Sequence, residues 1–541
     1  MPTAPPSRLT HLVLLILAAG ALAVVLAVLP YRTFELDRFF IPKESVLHGT
    51  ALLAGLVACI GLRQLRLSAA DDVLLAFLAI SLLSGLLAGN GWLAFRAISI
   101  TLSSLIVFWT CRRLASDGLG RPMVAILIVG TLVGAGTALL QAYGLSSDMF
   151  SLSRAPGGTF GNRNFMAHLA AIGLPLVVAL TLQARNRVAG LAGAAAVLVL
   201  TGAVVITRSR AAWLGMASSM LFFAIAGLWI GGLARDPQVR RRLGMLGAGA
   251  LLGAALALAL PNSLNWRSDS PYLETLHDVA NYKEGSGKGR LLQYENTLRM
   301  SLAHPILGVG PGNWAVSYPR YAPKRDPSLD QDDGMASNPW PSSDWMTFLS
   351  ERGMLATACL LLALLSLGIR SWRWWQCSPL KVDNLQILAL PAVLLAAVTC
   401  GAFDAVLVLP IPALYVWAAA GLLSPVEPGA GRVVELSGRR RIWLVVSFAV
   451  FGVAAAVRSG MQAAAMGAYE QAWKISDAER AARLDPGSFR IRMFLAQRYY
   501  SRGDCVRTRI HALKAHALFP EAARPKRLLA SCGAPRSAGD N

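Results

Sequence analysis

The sequence predicts an all-α membrane protein, a polytopic transmembrane bundle with about 13 spans. Three observations predict it. The chain is 55% hydrophobic with a mean hydropathy of +0.50, too apolar for one soluble core. Uncharged runs of roughly 20 residues recur, the length at which a helix crosses the hydrocarbon. Arginines gather in alternate connections between these runs, which is typical of polytopic proteins.

The predicted chain has two parts, a transmembrane domain at 1–458 and a helical tail at 459–541. The long polar segment 261–343 interrupts the first part between two apolar halves, so we expect it to form a large loop at one membrane surface. The first apolar run lacks a convincing cleavage site and is interpreted as an uncleaved helix. The predicted spans are 9–30, 46–62, 73–89, 92–110, 122–143, 164–184, 188–206, 211–233, 243–260, 345–369, 384–403, 406–424 and 441–458.

The distribution of arginines predicts the orientation. With a cytoplasmic N-terminus, most arginine clusters fall on the cytoplasmic side, while the 261–343 loop and the tail fall outside. A net charge of +21 would suggest nucleic acid in a soluble protein. Here lipid headgroups account for it, and no nucleic-acid partner is expected. The clusters are Arg63, Arg66, Arg112, Arg113, Arg185, Arg187, Arg235, Arg240, Arg241, Arg242, Arg370, Arg373, Arg439, Arg440 and Arg441.

No metal or cofactor site is predicted. The seven cysteines are scattered, with no CxxC or Cys/His cluster. The acidic run SLDQDDG lacks the ligand spacing of an EF-hand, so a solvated loop is the better interpretation. The GVGPG turn follows no predicted strand and lacks the Gly-Lys-Ser/Thr ending of a nucleotide-binding loop.

The tail carries amphipathic helical patterns with a 34-residue period, marked by Pro486 and Pro520. This is the tetratricopeptide period, and the tail resembles one full repeat plus a partial one. Docking of a protein partner, lid-like packing on the outer face and plain helical packing are all open as its role. Cys505 and Cys532 both lie here, and an oxidising compartment would permit a disulfide, although the sequence gives no distance between them.

Five arginines from three parts of the chain fall on the outer side, where the charge rule does not expect them. Guanidinium groups suit phosphate oxygens, and a diphosphate needs more than one of them. Arginine within the membrane or at its surface is costly and indicates function, with snorkelling to anionic headgroups as the alternative. Glycine-rich turns at GGTFG and GVGPGN would let the backbone approach a ligand. The arginines are Arg154, Arg163, Arg208, Arg210 and Arg290.

An ordered set of motifs covers residues 158–353: GGTFGNRNFMAHLA, SRAAWLG, GR, HPILGVGPGNW, YP and SSDWMTFLSERG. In this order they resemble the O-antigen ligase / O-antigen polymerase superfamily of bacterial inner-membrane enzymes. The resemblance implies transfer of a glycan from undecaprenyl diphosphate to an acceptor at the periplasmic face. We expect no metal to be needed if arginines hold the diphosphate, since the outer side shows no clear Asp/Glu pair for one. The resemblance places Arg210 and Arg290 on the diphosphate, and Arg208 is a further candidate.

One position departs from the family pattern, because Ser342 stands where ligase-type members carry a histidine that positions the acceptor hydroxyl. Serine is no base at neutral pH without help. Asp344 and His304 are the candidate catalytic groups, and His168 is another outer histidine. The alternatives are a helix N-terminal carboxylate for Asp344 and a turn residue for His304.

Further candidates for glycan contact are Asn162, Arg163, Trp314 and Tyr318. Packing inside the loop is the alternative for the two aromatic residues. The acceptor stays open: lipid A core for a ligase, a growing chain for an O-antigen, capsule or exopolysaccharide polymerase, or a protein for an O-oligosaccharyltransferase. A non-catalytic membrane scaffold is the alternative from another class.

Overall fold

The computed structural model describes residues 6–60, 62–151, 153–230, 232–266, 268–278, 285–377, 385–424 and 431–533. It is an all-α bundle, as predicted. Twelve of the described helices are long and apolar enough to cross a membrane, and Pro410–Leu423 is a shorter apolar helix. The chain is therefore a multi-pass membrane protein. The predicted span 406–424 corresponds to this shorter helix, because Pro410 starts it late.

Twenty α-helices and two short strands are described, together with three short 3-10 helices and a π-helix, Ala224–Ile230, which continues the eighth α-helix. The helices are α1 Arg8–Leu26, α2 Asp37–Ile60, α3 Ala69–Leu86, α4 Gly91–Ser116, α5 Gly120–Ala142, α6 Arg163–Gln183, α7 Arg187–Thr207, α8 Arg210–Phe223, α9 Pro237–Ala259, α10 Pro271–Asp278, α11 Gly285–Ala303, α12 Trp314–Ser317, α13 Asp344–Cys377, α14 Gln386–Phe403, α15 Pro410–Leu423, α16 Gly438–Glu470, α17 Ile475–Leu484, α18 Phe489–Tyr500, α19 Cys505–Leu518 and α20 Ala523–Ser531. The strands are β1 Gln64–Leu67 and β2 Arg432–Glu435.

Helix α6 lies at the centre of the bundle and packs against α5, α7, α8 and α14. Its apolar segment is 94% buried, and it is apolar all round rather than on one stripe. Small residues allow the close approach: a side chain at Gly173 would collide with Thr131 of α5. The residues at the start of α6 are therefore held by the core of the protein rather than by a mobile loop.

The two ends of the bundle are distinct. Strands β1 and β2 pair antiparallel, with Gln64 opposite Glu435, and join two connections that were predicted to share one side of the membrane. The described residues of the 261–343 segment lie at the other end, which we call the loop side. There, Ser263 donates a backbone hydrogen bond to the Ala142 carbonyl at the end of α5 (2.8 Å).

The GVGPGN turn packs on protein backbone. Glu351 accepts hydrogen bonds from the backbone N–H groups of Gly312 (2.7 Å) and Trp314 (3.1 Å). Gly308 has a φ of +66°, and a side chain there would collide with the Glu351 backbone. We expected a ligand to approach the backbone of this turn. Instead, the turn packs on the SERG sequence of α13 and is hydrogen-bonded to it. Helix α13 consists of two segments that meet at Gly353, where φ is 79°.

The tail packs against the loop. Helix α16 runs unbroken to Glu470, past the predicted boundary at 458, and α17 to α20 follow as successively packed helices. Asp333 accepts the backbone N–H groups of Ala523 (carbonyl oxygen, 2.9 Å) and Arg524 (carboxylate, 2.8 Å) at the start of α20. The acidic run SLDQDDG thus holds the tail. The tetratricopeptide assignment itself stays a prediction.

Cys505 and Cys532 form a disulfide, with 5.3 Å between their Cα atoms. The bond joins the first residue of α19 to the residue that follows α20. The helix that contacts the loop is thereby tied covalently to the rest of the tail.

Candidate functional site

The loop side carries a cluster of polar side chains around Asp404, directly after α14. This carboxylate is 9% exposed. Its Oδ2 accepts a hydrogen bond from Asn164 Nδ2 (2.8 Å), and its Oδ1 accepts the Ala405 backbone N–H (2.9 Å). Asn164 is itself fixed, because Asn162 caps α6 by accepting the Asn164 backbone N–H (3.0 Å). The GNRN sequence therefore aims one amide at a buried carboxylate.

Helix α11 brings Arg290 to this cluster. Tyr294, one turn further along, donates to the carbonyl oxygens of Ser342 (2.5 Å) and Ala402 (3.2 Å). Residues four apart share a helix face, so Arg290 also faces the end of α14. The positive charge of Arg290 and the negative charge of Asp404 both interact electrostatically with the buried His168. Among the described residues, the Arg290 side chain has neither a hydrogen bond nor a salt bridge.

His168 lies one turn below Asn164 in α6 and is fully buried. Neither nitrogen of its ring has a hydrogen-bond partner of normal geometry. Buried polar groups of native proteins are paired in the great majority of cases, so an orphaned ring calls for an explanation. The cluster around Asp404 thus contains a guanidinium and a buried imidazole that both lack a hydrogen-bond partner among the described residues.

The TRSR turn between α7 and α8 supplies two further arginines. The Ala211 carbonyl accepts from Cys400 Sγ (3.5 Å), which sets the start of α8, with Arg210, beside the last turn of α14. Arg208 has a φ of +55°, unusual for a residue other than glycine. Such strained backbone is enriched at functional sites. Arg210 and Arg290 therefore both border the end of α14 that carries Asp404.

Arg208 contacts the segment that carries Trp266 and Thr275. It donates to Thr275 Oγ1 (2.7 Å) and pairs with Glu274 (3.0 Å). Its guanidinium carbon lies 4.8 Å from the centre of the Trp266 ring, and that of Arg163 lies 5.0 Å from the same ring. Of the predicted diphosphate and glycan contacts, Arg208 and Arg163 thus share one aromatic platform.

Asp344, a candidate catalytic group, is fully buried at the start of α13. Its carboxylate accepts the backbone N–H groups of Val406 (3.1 Å) and Leu407 (2.7 Å). Next to it, Ser343 donates to the Gly401 carbonyl (3.2 Å). Asp344 therefore anchors the turn that carries Asp404, and its oxygens are already engaged.

His304, the other candidate catalytic group, lies far from the arginines. It follows the last residue of α11, fourteen positions after Arg290, which corresponds to about 21 Å along a helix. Its Nε2 lies 3.1 Å from the Tyr321 hydroxyl, at an exposed position. His304 and Arg290 are thus at opposite ends of α11.

Trp314 and Tyr318 form the core of the loop. Both are fully buried, with ring centres 4.4 Å apart. Trp314 Nε1 donates to Thr297 Oγ1 (3.0 Å), and the Tyr318 hydroxyl donates to Asp326 (2.8 Å). Burial, together with the Asp326 carboxylate, raises the pKa of Tyr318. Packing inside the loop, the alternative that the sequence left open, is the arrangement observed.

Sequence reasoning missed Asp404 and Trp266. A signal for Asp404 was present, since CGAFDAVLVLP puts one carboxylate between two apolar runs, and ionisable residues at membrane depth indicate function. Trp266 follows an apolar span and carries no such signal. Within the described ranges, no group of three or more His, Cys, Asp or Glu residues could hold a metal ion.

Residues 194–361 match the family described as O-antigen ligase. That segment contains the TRSR turn, Arg290, the GVGPGN turn and the start of α13. The resemblance to the O-antigen ligase superfamily is confirmed. The match supports glycosyltransferase activity of the ligase or polymerase type, acting on glycan substrates in a membrane. No curated protein matches the chain.

Proposed function

We propose that the chain transfers a glycan from undecaprenyl diphosphate to an acceptor hydroxyl at the periplasmic face of the bacterial inner membrane. The observation that carries the proposal is the cluster at the end of α14. There, Arg290 and Arg210 border a buried carboxylate, Asp404, and both arginines lie in the segment that matches the O-antigen ligase family. Guanidinium groups from two separate helices suit the several oxygens of a diphosphate.

In the proposed reaction, the acceptor oxygen attacks the anomeric carbon, and the bond from that carbon to the phosphate oxygen breaks. The electron pair stays on the diphosphate, where Arg290 and Arg210 stabilise the growing negative charge. The hydroxyl proton passes to Asp404, which Asn164 holds in place (2.8 Å). Asp344 fixes the turn below it through two backbone N–H groups and acts by positioning.

The disulfide of the tail supports the proposed orientation. Disulfides persist in oxidising compartments, which for a bacterial membrane protein means the periplasm. The tail contacts the 261–343 loop, so both would lie on that side, with the N-terminus cytoplasmic as the arginine distribution predicts.

Reconstitution tests the proposal and identifies the acceptor. The purified chain in liposomes would receive a labelled glycan on undecaprenyl diphosphate, together with lipid A core, with a second lipid-linked glycan, or with a Ser/Thr-rich peptide. Label that moves to one of them identifies a ligase, a polymerase or a protein glycosyltransferase. An absence of transfer to all three, with folded protein and intact donor, would leave the scaffold alternative.

A further inference from the structure

A cavity lies on the loop side, beside the Asp404 cluster. Its volume is about 780 Å³, within the range of small-ligand sites. Residues from the α5–α6 connection, the TRSR turn and the 263–274 segment line it. Many of these residues carry hydroxyl or amide groups, among them Ser146, Ser147, Ser153 and Asn265. Such a lining suits a hydroxylated ligand better than an acyl chain.

The charge of this cavity is positive. Arg163 and Arg208 line it, with Glu274 as the only acidic residue among the lining residues described. Glu274 pairs with Arg208 at 3.0 Å, whereas the Arg163 side chain has no salt bridge among the described residues. Arg208 and the exposed Arg154 repel the Arg163 charge. A bound anion would relieve that repulsion.

Trp266, which lines the cavity, has a hydrogen-bond donor that no described residue satisfies. Both guanidinium groups pack on its ring, at 4.8 Å and 5.0 Å. Its indole N–H is buried and has no hydrogen-bond partner within the described ranges. A buried indole N–H usually has one. A ligand oxygen would satisfy this donor.

The cavity and the Asp404 cluster share two structural elements. At the start of α6, Arg163 packs on Trp266 while its neighbour Asn164 donates to Asp404. In the TRSR turn, Arg208 packs on Trp266, while Arg210 begins the helix beside α14. A ligand group in the cavity therefore lies next to the group held at the cluster.

We propose that the Arg163–Trp266–Arg208 cavity binds an acidic sugar, bearing a carboxylate or a phosphate, of the glycan that is transferred. This rests on the proposed function and deepens it by assigning a class of sugar. The hydroxyl and amide groups of the lining bind the ring hydroxyls, Arg163 binds the anion, and the Trp266 N–H donates to a ring or carboxylate oxygen.

The test measures binding to the full chain in phosphatidylcholine nanodiscs, with tetragalacturonate as the acidic probe and maltotetraose as the neutral one. Wild type should bind tetragalacturonate at least about tenfold more tightly, because a charge-assisted hydrogen bond contributes about 1.5–3 kcal/mol. Arg163→Gln and Trp266→Phe should reduce its affinity to that for maltotetraose. Arg299→Gln, on the exposed face of α11, is the matched control and should change nothing.

Three outcomes would overturn the proposal: equal affinities for the two probes, full affinity of Arg163→Gln, or loss of tetragalacturonate binding when the discs contain phosphatidylglycerol. The last outcome would assign the cavity to an anionic lipid headgroup. Arg290→Gln separates this proposal from the proposed function, since it should lose transfer and keep tetragalacturonate binding. Acidic binding without transfer in wild type would contradict only the proposed function.

Discussion

The two ends of α11 differ in how their polar groups are satisfied. Near its start, Arg290 lies without a hydrogen bond or salt bridge among the described residues. Near its end, Asp326 accepts hydrogen bonds from Asn296 (2.9 Å) and Tyr318 (2.8 Å) and is fully buried. One helix thus joins a region with unmet charge to a region with a bonded polar core. We infer that the first region is built for a ligand and the second for stability.

The tail extends the stable region. Its α20 docks on Asp333, and Arg320 pairs with Glu521 (2.6 Å). If this comparison holds, changes at the start of α11 should alter transfer and leave stability intact, whereas changes in the loop core or tail should do the reverse.

The largest effect is expected for Arg290→Gln. Loss of one charge that stabilises the leaving diphosphate should lower the rate of transfer about 10²–10³-fold. Thermal unfolding should shift little, because no internal bond of the described residues is lost. The rate is measured with the labelled lipid-linked donor, and unfolding by fluorescence in the same detergent.

Arg299→Gln is the control on the same helix. Arg299 pairs with Glu295 (2.5 Å) on the exposed surface, where ion pairs contribute little. Both transfer and stability should match wild type. A transfer-competent Arg290→Gln protein would remove the distinction between the two ends of α11.

Asp404→Asn should have the next largest effect on transfer. The amide keeps the size of the side chain and one of its two acceptor oxygens, but it cannot take a proton, so the rate should fall about 10²-fold. The pH profile of residual transfer should also change. A simple loss of rate at constant pH dependence would instead indicate a positioning role for Asp404.

Asp344→Ala gives the contrast with Asp404→Asn. It removes the acceptor for two buried backbone N–H groups and should lower the free energy of unfolding by about 1–3 kcal/mol. Growth at low temperature should restore part of its activity. If Asp344→Asn retains stability yet abolishes transfer, Asp344 is the proton acceptor, and the assignment made from the sequence was the better one.

The disulfide is expected to affect the tail alone. Cys505→Ser removes the disulfide, which joins two residues 27 positions apart. It should lower the local stability of the tail by about 2–4 kcal/mol. Hydrogen exchange of α19 and α20 should therefore accelerate, while exchange of α6 and α14 stays slow. Because Cys505→Ser leaves Cys532 with a free, reactive thiol, the double variant Cys505→Ser/Cys532→Ser is the control. Equal acceleration throughout the chain would show that the tail supports the whole bundle.

Much of the fold could be predicted from the sequence, because bilayer length and charge asymmetry act over whole segments. The thirteen apolar runs correspond to twelve long helices and one short one. The hydrogen bonds between the GVGPGN turn and Glu351 could not be predicted. Glycine at Gly308 indicates that something approaches closely, but the pattern cannot say whether it is a ligand or the backbone of α13.

The candidate site divides in the same way. Arg210 could be chosen from the sequence because charge at membrane depth is costly, and Arg290 because it stands in a motif that resembles the family. Asp404 obeys the same rule but was overlooked between two apolar runs. The burial of Trp314 and Tyr318 depends on Asp326 and Thr297, contacts across the loop that no local spacing encodes.

The smallest effect concerns pH and the tail. His511 is 8% exposed and stacks on the Tyr499 ring, with centres 5.7 Å apart. Burial, together with the charges of Arg492 and Lys514, lowers the pKa of His511 to about 4, with Glu479 opposing the shift. An unfolded histidine takes up its proton near pH 6.5. Between these values the unfolded tail binds more protons, so stability falls as pH falls.

By pH 5 the loss should be about 1 kcal/mol, discounted for solvent screening, and full stability should be present above pH 6.5. Hydrogen exchange of α18 and α19 at pH 7 and pH 5, corrected for intrinsic rates, measures it. His511→Gln should remove the pH dependence while lowering stability at pH 7, because the stacking is lost. If the stability of His511→Gln changes with pH as much as that of wild type, other groups cause the pH dependence. The tail and the Asp404 cluster would then differ only in how their polar groups are hydrogen-bonded.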